Sequence, residues 1–275
     1  MHRLSVSEFS SYRWPLFQEV IRYARAGIDR IGLWRDKVEE FGFEEAADLL
    51  YEMKVSPSSL SWAGGFTGSD GTPHTLAVDD AIQAVYQAHM VGAERLIIFP
   101  GSRNGHTDRH ATRLVTNAIE TVLPLAIDLG VKLVIEPVLD RNNSFSFMHR
   151  PDEYLRLVQQ FESEYVGLSL DLFHVGRNLD LMANFDQFAD RISLVQLCDA
   201  KFRNGKWTRC ELGKGVVPLR QWIKLLNYSG YAGDFEVKLL GPEFTNMDYL
   251  ETIFQARDYF SQQLIPTLFG IAAKR

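Results

Sequence analysis

The 275-residue chain has few cysteines and no long apolar run. Its two cysteines, Cys198 and Cys210, are too few for a disulfide framework. No apolar stretch approaches the roughly 18 residues that a membrane-spanning helix needs, and no signal-like apolar segment precedes the first predicted strand. These absences predict a soluble, cytoplasmic protein that does not associate with membranes.

The chain also lacks an excess of basic residues. It carries 29 Lys and Arg against 35 Asp and Glu, a formal net charge of −6, whereas nucleic-acid binding needs a basic surface that displaces phosphate counterions. Neither a G-x-G-x-x-G nor a P-loop sequence, both typical of nucleotide-binding folds, is present. No Pro-rich or Gly-rich linker divides the chain. We therefore expect one domain over residues 1–275 that does not bind nucleic acid.

Short apolar segments alternate with amphipathic segments, and eight such pairs occur along the chain. This alternation predicts a parallel sheet covered by helices, either an open doubly wound sheet or a closed (β/α)8 barrel. The length agrees with the roughly 250 residues typical of one such barrel. The last helix is predicted from about Met247 to Leu268, and a loop is expected after Gln196.

Four acceptor side chains follow apolar, strand-like segments in the second half of the chain. They are Glu136 in LVIEPV, Asp171 in LSLDLFH, Gln196 in LVQLCD and Glu236 in DFEVKL. The gaps between them bracket the roughly 30 residues of one βα unit. Polar residues that end four successive strands converge only if the sheet closes into a ring, which favours the (β/α)8 barrel. The strand period of two then places Lys238 one layer above Glu236.

The charge of this acceptor set predicts a metal centre, although a single buried carboxylate is as often a structural ion-pair partner. Three carboxylates do not gather in a core without a cation. An all-oxygen set suits Mn²⁺ or Mg²⁺ best, with Co²⁺ or Zn²⁺ as alternatives. We therefore expect one divalent ion at all four residues, with open positions for a hydroxy-ketone. Glu136 and Glu236 are then expected to remove and return a proton through a metal-bound enediolate.

Along essentially its whole length the sequence resembles the xylose isomerase-like barrels of sugar-phosphate isomerases and epimerases. The resemblance implies a (β/α)8 fold and one divalent ion held by the four acceptor residues, two of which, the glutamates, move protons. It rests on IEP at 135–137, the Asp-x-x-His of Asp171 and His174, Gln196 with Asp199 behind it, LGKGVVPL at 212–219, and Glu236.

Two positions depart from the family pattern. Gln196 stands where relatives more often have His, and Gln at this position is a feature of hydroxypyruvate isomerase-like members. Lys214 stands where relatives usually have Glu. The first departure changes the expected subgroup, and the second removes any role that the family glutamate would have.

Four further residues are predicted to contact the substrate. His174 would donate a hydrogen bond to the substrate or to a metal ligand, and Arg203 lies in the expected loop where relatives often place a substrate-binding Arg. Lys238 would polarise a carbonyl or bind a substrate carboxylate or phosphate, with a structural salt bridge to Glu236 as the alternative. Trp62 would form an apolar wall for a sugar ring, although core packing is the commoner fate of Trp.

The sequence therefore predicts a metal-dependent isomerase or epimerase of a small sugar-like hydroxy-ketone. A dehydratase of a keto-polyol such as inosose or dehydroshikimate is the first alternative, with His174 or Lys238 as the acid for the leaving hydroxyl. An endonuclease IV-like nuclease would need further histidine ligands and a basic groove. A non-catalytic sugar-binding protein would not need all four acceptor residues. The expected partner is a small carbohydrate, and a homo-oligomer is compatible with the sequence.

Overall fold

The computed structural model describes residues 3–266 of the chain. Within this range, eight parallel strands form a closed barrel. The strands are β1 (Arg3–Ser7), β2 (Arg30–Trp34), β3 (Ser56–Gly64), β4 (Arg95–Phe99), β5 (Lys132–Ile135), β6 (Val166–Asp171), β7 (Ile192–Leu197) and β10 (Asp234–Val237). Each strand pairs with the next along the chain, and β10 pairs with both β7 and β1 to close the ring. The predicted (β/α)8 fold is confirmed.

Helices connect the strands and cover the outside of the barrel. In the described residues, none of them is both long enough and apolar enough to cross a bilayer. They are α1 (Leu16–Arg25), α2 (Arg35–Phe41), α3 (Phe43–Met53), α4 (His74–Met90), α5 (Asp108–Asp128), α6 (Pro151–Val158), α7 (Leu172–Val175), α8 (Leu179–Ala183), α9 (Leu219–Tyr228) and α10 (Tyr249–Tyr259). A π-helical turn at Phe260–Leu264 continues α10. Leu268, the predicted end of the last helix, lies outside the described residues.

The barrel interior contains both apolar and polar side chains. Strand residues alternate between the interior and the helices, as the period of two requires. The apolar side chains include a small cluster of buried residues, against which Trp62 packs. Its members are Ile97, Phe99, Val134, Val138 and Leu194. The polar side chains include the predicted acceptor residues, which lie on β6, β7 and β10 and directly after β5.

An antiparallel hairpin follows β7 where a loop was expected. It consists of β8 (Asp199–Arg203) and β9 (Lys206–Cys210). Asn204 and Gly205 both have positive φ, 50° and 77°, which is the two-residue turn that Asn-Gly favours. The prediction of a loop containing Arg203 was wrong, because the Asn-Gly turn joins two short strands that lack clear apolar alternation.

Candidate functional site

The four predicted acceptor residues meet inside the carboxyl end of the barrel. Glu236 is paired in register with Ser5 on one side and with Gln196 on the other, and Gln196 is paired with Asp171. Glu136 directly follows the last residue of β5. All four side chains are buried, at no more than 1% exposure. The structure therefore brings these four residues together, and we refer to them as the acceptor cluster.

Lys238 lies among the members of the acceptor cluster, one layer above Glu236 as the strand period predicts. Its ammonium is 3.0 and 3.2 Å from the two carboxylate oxygens of Glu136 and 3.4 Å from Oδ2 of Asp171. It also donates a hydrogen bond to Oε1 of Gln196 at 2.9 Å. The ion pairs of Lys238 are thus with Glu136 and Asp171, rather than with Glu236, the partner considered from the sequence.

A second buried cation, Arg209 of β9, was missed in the sequence. Its guanidinium donates to both carboxylate oxygens of Asp171, at 3.0 and 2.6 Å, and its central carbon lies 4.4 Å from the centre of the Phe173 ring. The Asn-Gly turn is the signal that would have placed Arg209 in a strand. The hairpin folds back over the barrel, and this is a tertiary contact. The local sequence therefore does not indicate that Arg209 pairs with Asp171.

The carboxylate of Glu236 is held by neutral groups. Its Oε2 lies 2.8 Å from the hydroxyl of Ser59 and 3.0 Å from that of Ser58, and its Oε1 accepts a hydrogen bond from Nε2 of Gln196 at 3.1 Å. Gly32 of β2 lies alongside, and a Cβ atom there would be 2.2 Å from Oε2. The absence of a side chain at Gly32 therefore makes the room that the carboxylate occupies.

His174 lies with Glu136 and Asp171. One ligand-type atom from each of these residues lies within 4.8 Å of the other two, a grouping that fits a divalent metal. Burial lowers the pKa of His174 to about 4, and the charge of Asp171 only partly opposes this shift. The imidazole is therefore neutral near pH 7, the form that binds a metal. The ligand role predicted for Glu236 stays a prediction.

Burial shifts the pKa values of the carboxylates, and neighbouring charges separate them. Burial and the charge of Asp171 raise the pKa of Glu136 to about 7, against the opposing effect of Lys238. Burial also raises the pKa of Glu236. Burial would raise the pKa of Asp171 too, but Arg209 and Lys238 outweigh it and hold that pKa well below its usual range. Asp171 therefore stays ionised, while Glu136 and Glu236 retain a proton more readily.

The other predicted substrate residues lie around the mouth of the barrel. Trp62 is half-buried on β3 and contacts the rings of Phe99 and Phe145 edge to face, at centroid distances of 5.6 and 6.1 Å. Arg203 is exposed at the last position of β8, beside the hairpin turn. Substrate contacts at Trp62 and Arg203 stay predictions.

Asp199 anchors the glycine-containing segment 212–219. Its carboxylate accepts hydrogen bonds from the N–H groups of Gly215 and Val217, both at 2.9 Å. A Cβ atom at Gly215 would be 2.3 Å from Oδ1 of Asp199, so this close approach requires glycine. Lys214 is exposed and pairs with Glu211 at 3.1 Å. The family motif therefore folds around Asp199, while Lys214 faces solvent.

A second group of buried charges connects the end of β1 to α1 and α2. Lys37 of α2 lies 2.7 Å from Oε2 of Glu19 of α1, and Glu8 accepts a hydrogen bond from the backbone N–H of Trp34. Burial and the charge of Glu19 raise the pKa of Glu8 well above its usual value, against Lys37. The ammonium of Lys37 thus pairs with the carboxylate of Glu19 and donates to the backbone carbonyl of Glu8 at 3.5 Å.

Several solved structures share this fold at low sequence identity. A protein of Sinorhizobium meliloti 1021 superposes with a TM-score of 0.85 at 24% identity, over 94% of this chain and 97% of that one. An IOLI protein with a bound zinc atom gives a TM-score of 0.81 at 18% identity, over 99% and 100% of the two chains. An L-ribulose 3-epimerase gives 0.78 at 18% identity over 100% of both. At these identities the likeness shows the fold.

Sequence comparison identifies the family. An inosose isomerase of Halalkalibacterium halodurans is 26% identical over 153 residues, 53% of this chain and 52% of that protein. The match thus spans about half the length of this curated relative. The family described as xylose isomerase-like TIM barrel matches residues 20–251, a range that contains the acceptor cluster and confirms the resemblance found in the sequence. The chain belongs to the xylose isomerase-like TIM barrel family.

Proposed function

We propose that the chain is a sugar isomerase or epimerase that moves a proton at a carbon beside the carbonyl of a small hydroxy-ketone. The observation that carries this proposal is the placement of two buried glutamates at one end of the barrel. Glu136 follows β5 and Glu236 lies on β10, and the two strands between them contribute Asp171 and Gln196. A relative described as an inosose isomerase and a structural neighbour described as an L-ribulose 3-epimerase support this class of reaction.

In the proposed reaction, one glutamate removes a proton and the other returns one. A carboxylate on each side of a bound substrate can perform both steps. Ser58, Ser59 and Gln196 fix the orientation of Glu236. Lys238 does the same for Glu136. While no ion occupies the site, an enediolate that forms between them would be stabilised by the positive charge of Lys238.

The donor set of the site also fits the expected divalent ion. Glu136, Asp171 and His174 would hold it, with Oε1 of Gln196 as a further oxygen donor. When bound, such an ion supplies the positive charge that acidifies a carbon between two substrate oxygens. We propose Mn²⁺ or Mg²⁺ first, with Co²⁺ or Zn²⁺ as the alternatives that a histidine ligand favours.

Proton NMR in D₂O tests the proposal. A panel of ketoses, hydroxypyruvate and keto-inositols is incubated with the protein, with and without added Mn²⁺, and deuterium uptake beside the carbonyl is followed. In the variants Glu136→Gln and Glu236→Gln we expect uptake of the accepted compound to fall about 10²- to 10⁴-fold, the usual contribution of a general acid or base.

Glu19→Gln is the matched control, because it removes a buried carboxylate of α1 that is paired with Lys37 and lies outside the acceptor cluster. It should leave the uptake rate per folded protein unchanged. Wild-type uptake rates in both Glu136→Gln and Glu236→Gln would show that these glutamates do not transfer the proton.

A dehydratase is the second candidate, and one contact favours it. The ammonium of Lys238 lies 3.0 Å from Oε1 of Glu136, so an acid stands next to the proposed base. Such a pair could remove a proton and protonate a leaving hydroxyl on the neighbouring carbon. Mass spectrometry of the product distinguishes the two reactions, since loss of water lowers the mass and isomerisation does not.

A further inference from the structure

The ammonium of Lys238 lies where a metal ion would lie. Its nitrogen contacts oxygens of three of the four residues in the acceptor cluster. The distances are 3.0 Å to Oε1 of Glu136, 3.4 Å to Oδ2 of Asp171 and 2.9 Å to Oε1 of Gln196. The side chain is 5% exposed, so these contacts are made away from water. The chain itself thus places a positive charge at the point on which the ligand oxygens converge.

A divalent ion and this ammonium cannot share the position. An ion would bind the same oxygens at about 2.0–2.6 Å. The ammonium nitrogen of Lys238 already lies within 3.4 Å of oxygens of all three residues, so the ion and this nitrogen would be in direct contact. The two positive charges would also repel each other strongly in a buried site. Binding of an ion therefore requires that Lys238 gives up its contacts with Glu136, Asp171 and Gln196.

Arg209 also opposes the binding of an ion. Its guanidinium holds both oxygens of Asp171, at 3.0 and 2.6 Å, and it is buried beside the site. The three carboxylates of the acceptor cluster therefore already face two fixed positive charges. An ion that enters would meet a site whose negative charge has been largely compensated by the chain.

We propose that Lys238 is the resident cation of this site and competes with a divalent ion for one position. Lys238 thereby weakens metal binding, and an ion enters only when the lysine side chain moves away. The inference rests on the metal site described under the proposed function and concerns the regulation of that site. Its consequence is that occupancy by metal depends on the ion concentration and on Lys238.

Calorimetric titration with Mn²⁺, without substrate, tests the proposal. We expect Lys238→Met to bind one Mn²⁺ on the order of 100-fold more tightly than the wild type, within the range of strong coupling between two binding events. Lys37→Met is the matched control, because it removes another buried lysine that is paired with a carboxylate, and it should bind as the wild type does. Equal affinity in Lys238→Met and the wild type, whether tight or undetectable, would overturn the proposal.

A double variant locates the ion. Adding Glu136→Gln to Lys238→Met removes a ligand, and the gained affinity should disappear. If the gain persists, the ion binds elsewhere and the proposal is wrong. Because no turnover is measured, these outcomes do not depend on whether the chain is an isomerase.

Acylation of lysines in the wild type provides a test that does not require Lys238→Met to fold. Lys238 is buried and should react slowly in metal-free protein, whereas saturating Mn²⁺ should raise its acylation several-fold, as mapped by mass spectrometry. Unchanged acylation of Lys238 while Mn²⁺ is bound would contradict the proposed displacement.

Discussion

The two ends of the barrel balance buried charge in opposite ways, and one strand contributes to both. The inward residues of β10 and the position just beyond it are Asp234, Glu236 and Lys238, spaced by two along the chain. Asp234 lies at the amino end of the barrel, while Glu236 and Lys238 lie at the carboxyl end. The same strand therefore joins a structural ion-pair group to the candidate site.

At the amino end, arginines outnumber carboxylates. Asp234 is fully buried, and its Oδ2 accepts hydrogen bonds from the guanidinium groups of Arg3, Arg30 and Arg95 at 3.2, 2.9 and 2.9 Å. Its Oδ1 lies 3.1 and 2.7 Å from the Nε atoms of Arg3 and Arg30. Glu94 pairs with the same arginines at the edge of this group. Every oxygen of Asp234 is thus held by a permanent cation, and the group closes the bottom of the barrel.

At the carboxyl end, carboxylates outnumber cations. Glu136, Asp171 and Glu236 face Lys238 and Arg209, and the pKa values of the two glutamates are raised by burial. An excess of guanidinium groups favours the ionised carboxylate, whereas an excess of buried carboxylates raises the pKa of two of them, Glu136 and Glu236. This division agrees with the general pattern of (β/α)8 barrels, in which the carboxyl end carries the chemistry and the amino end carries stability.

Removing the carboxylate of Asp234 should destabilise the amino end of the barrel. Asp234→Asn leaves three guanidinium groups without their central partner, and we expect the free energy of unfolding to fall by about 3–5 kcal/mol, as for other broken buried ion pairs. Urea denaturation measures the change. Glu94→Gln, at the exposed edge of the same group, should cost about 1 kcal/mol or less. A similar small loss for Asp234→Asn would show that the buried ion pairs do not hold the barrel end.

The contrast between carboxylate-rich and arginine-rich groups also predicts opposite effects of pH. The pKa of Glu8 is raised by burial and Glu19, so the folded state binds a proton that the unfolded state has lost. The stability that this proton provides is present below about pH 4.5 and is lost as the pH rises through the pKa of the folded state. Relative to Glu8→Gln, the wild type should therefore lose up to about 1.4 kcal/mol per pH unit as the pH rises from about 4.5 towards the raised pKa of Glu8 in the folded state.

Glu94→Gln is the control for this pH series. The arginines outweigh burial and lower the pKa of Glu94, so its contribution is complete above about pH 4.5 and is lost only as the pH falls below this range. The difference between the wild type and Glu94→Gln should be constant from pH 5 to pH 8 in urea denaturation. A pH-independent difference for Glu8→Gln as well would contradict the assignment of a retained proton to Glu8.

The smallest expected effect is that of a chelator on thermal stability. Because Lys238 and Arg209 already neutralise much of the carboxyl-end charge, removal of metal with EDTA should change the melting temperature by no more than about 1 °C. A resident structural ion present far above its dissociation constant would contribute several kcal/mol. A decrease of about 10 °C in differential scanning calorimetry would therefore show that an ion, rather than Lys238, holds the acceptor cluster together.

The period of two along each strand predicted where most residues of the candidate site lie. Each acceptor residue ends an apolar segment, and the gaps between these segments bracket one βα unit, so the chain order of strands and the period of two together place Glu136, Asp171, Gln196 and Glu236 at one end of a closed barrel. The position of Lys238 above Glu236 followed from the same period. The structure agrees with these placements because backbone geometry alone determines which face a strand residue occupies.

The contacts between the charged groups were not predictable in this way. The partner of Lys238 depends on how its long side chain crosses the interior towards Glu136, and the role of Arg209 depends on a hairpin that folds back over Asp171. His174 lies close to Glu136 and Asp171 because α7 begins directly after β6. The direction of a long side chain and the position of a folded-back hairpin depend on the tertiary structure. The local spacing of residues does not specify them.

The barrel and the identity of the residues that meet inside it follow from the amino-acid sequence, because the hydrophobic period and the strand spacing are local properties of the chain. How the charges of those residues are compensated depends on contacts between distant parts of the chain. Burial makes a charge depend on every neighbour that approaches it in space, and for the acceptor cluster those neighbours are Lys238 and Arg209, two cations that the chain itself supplies.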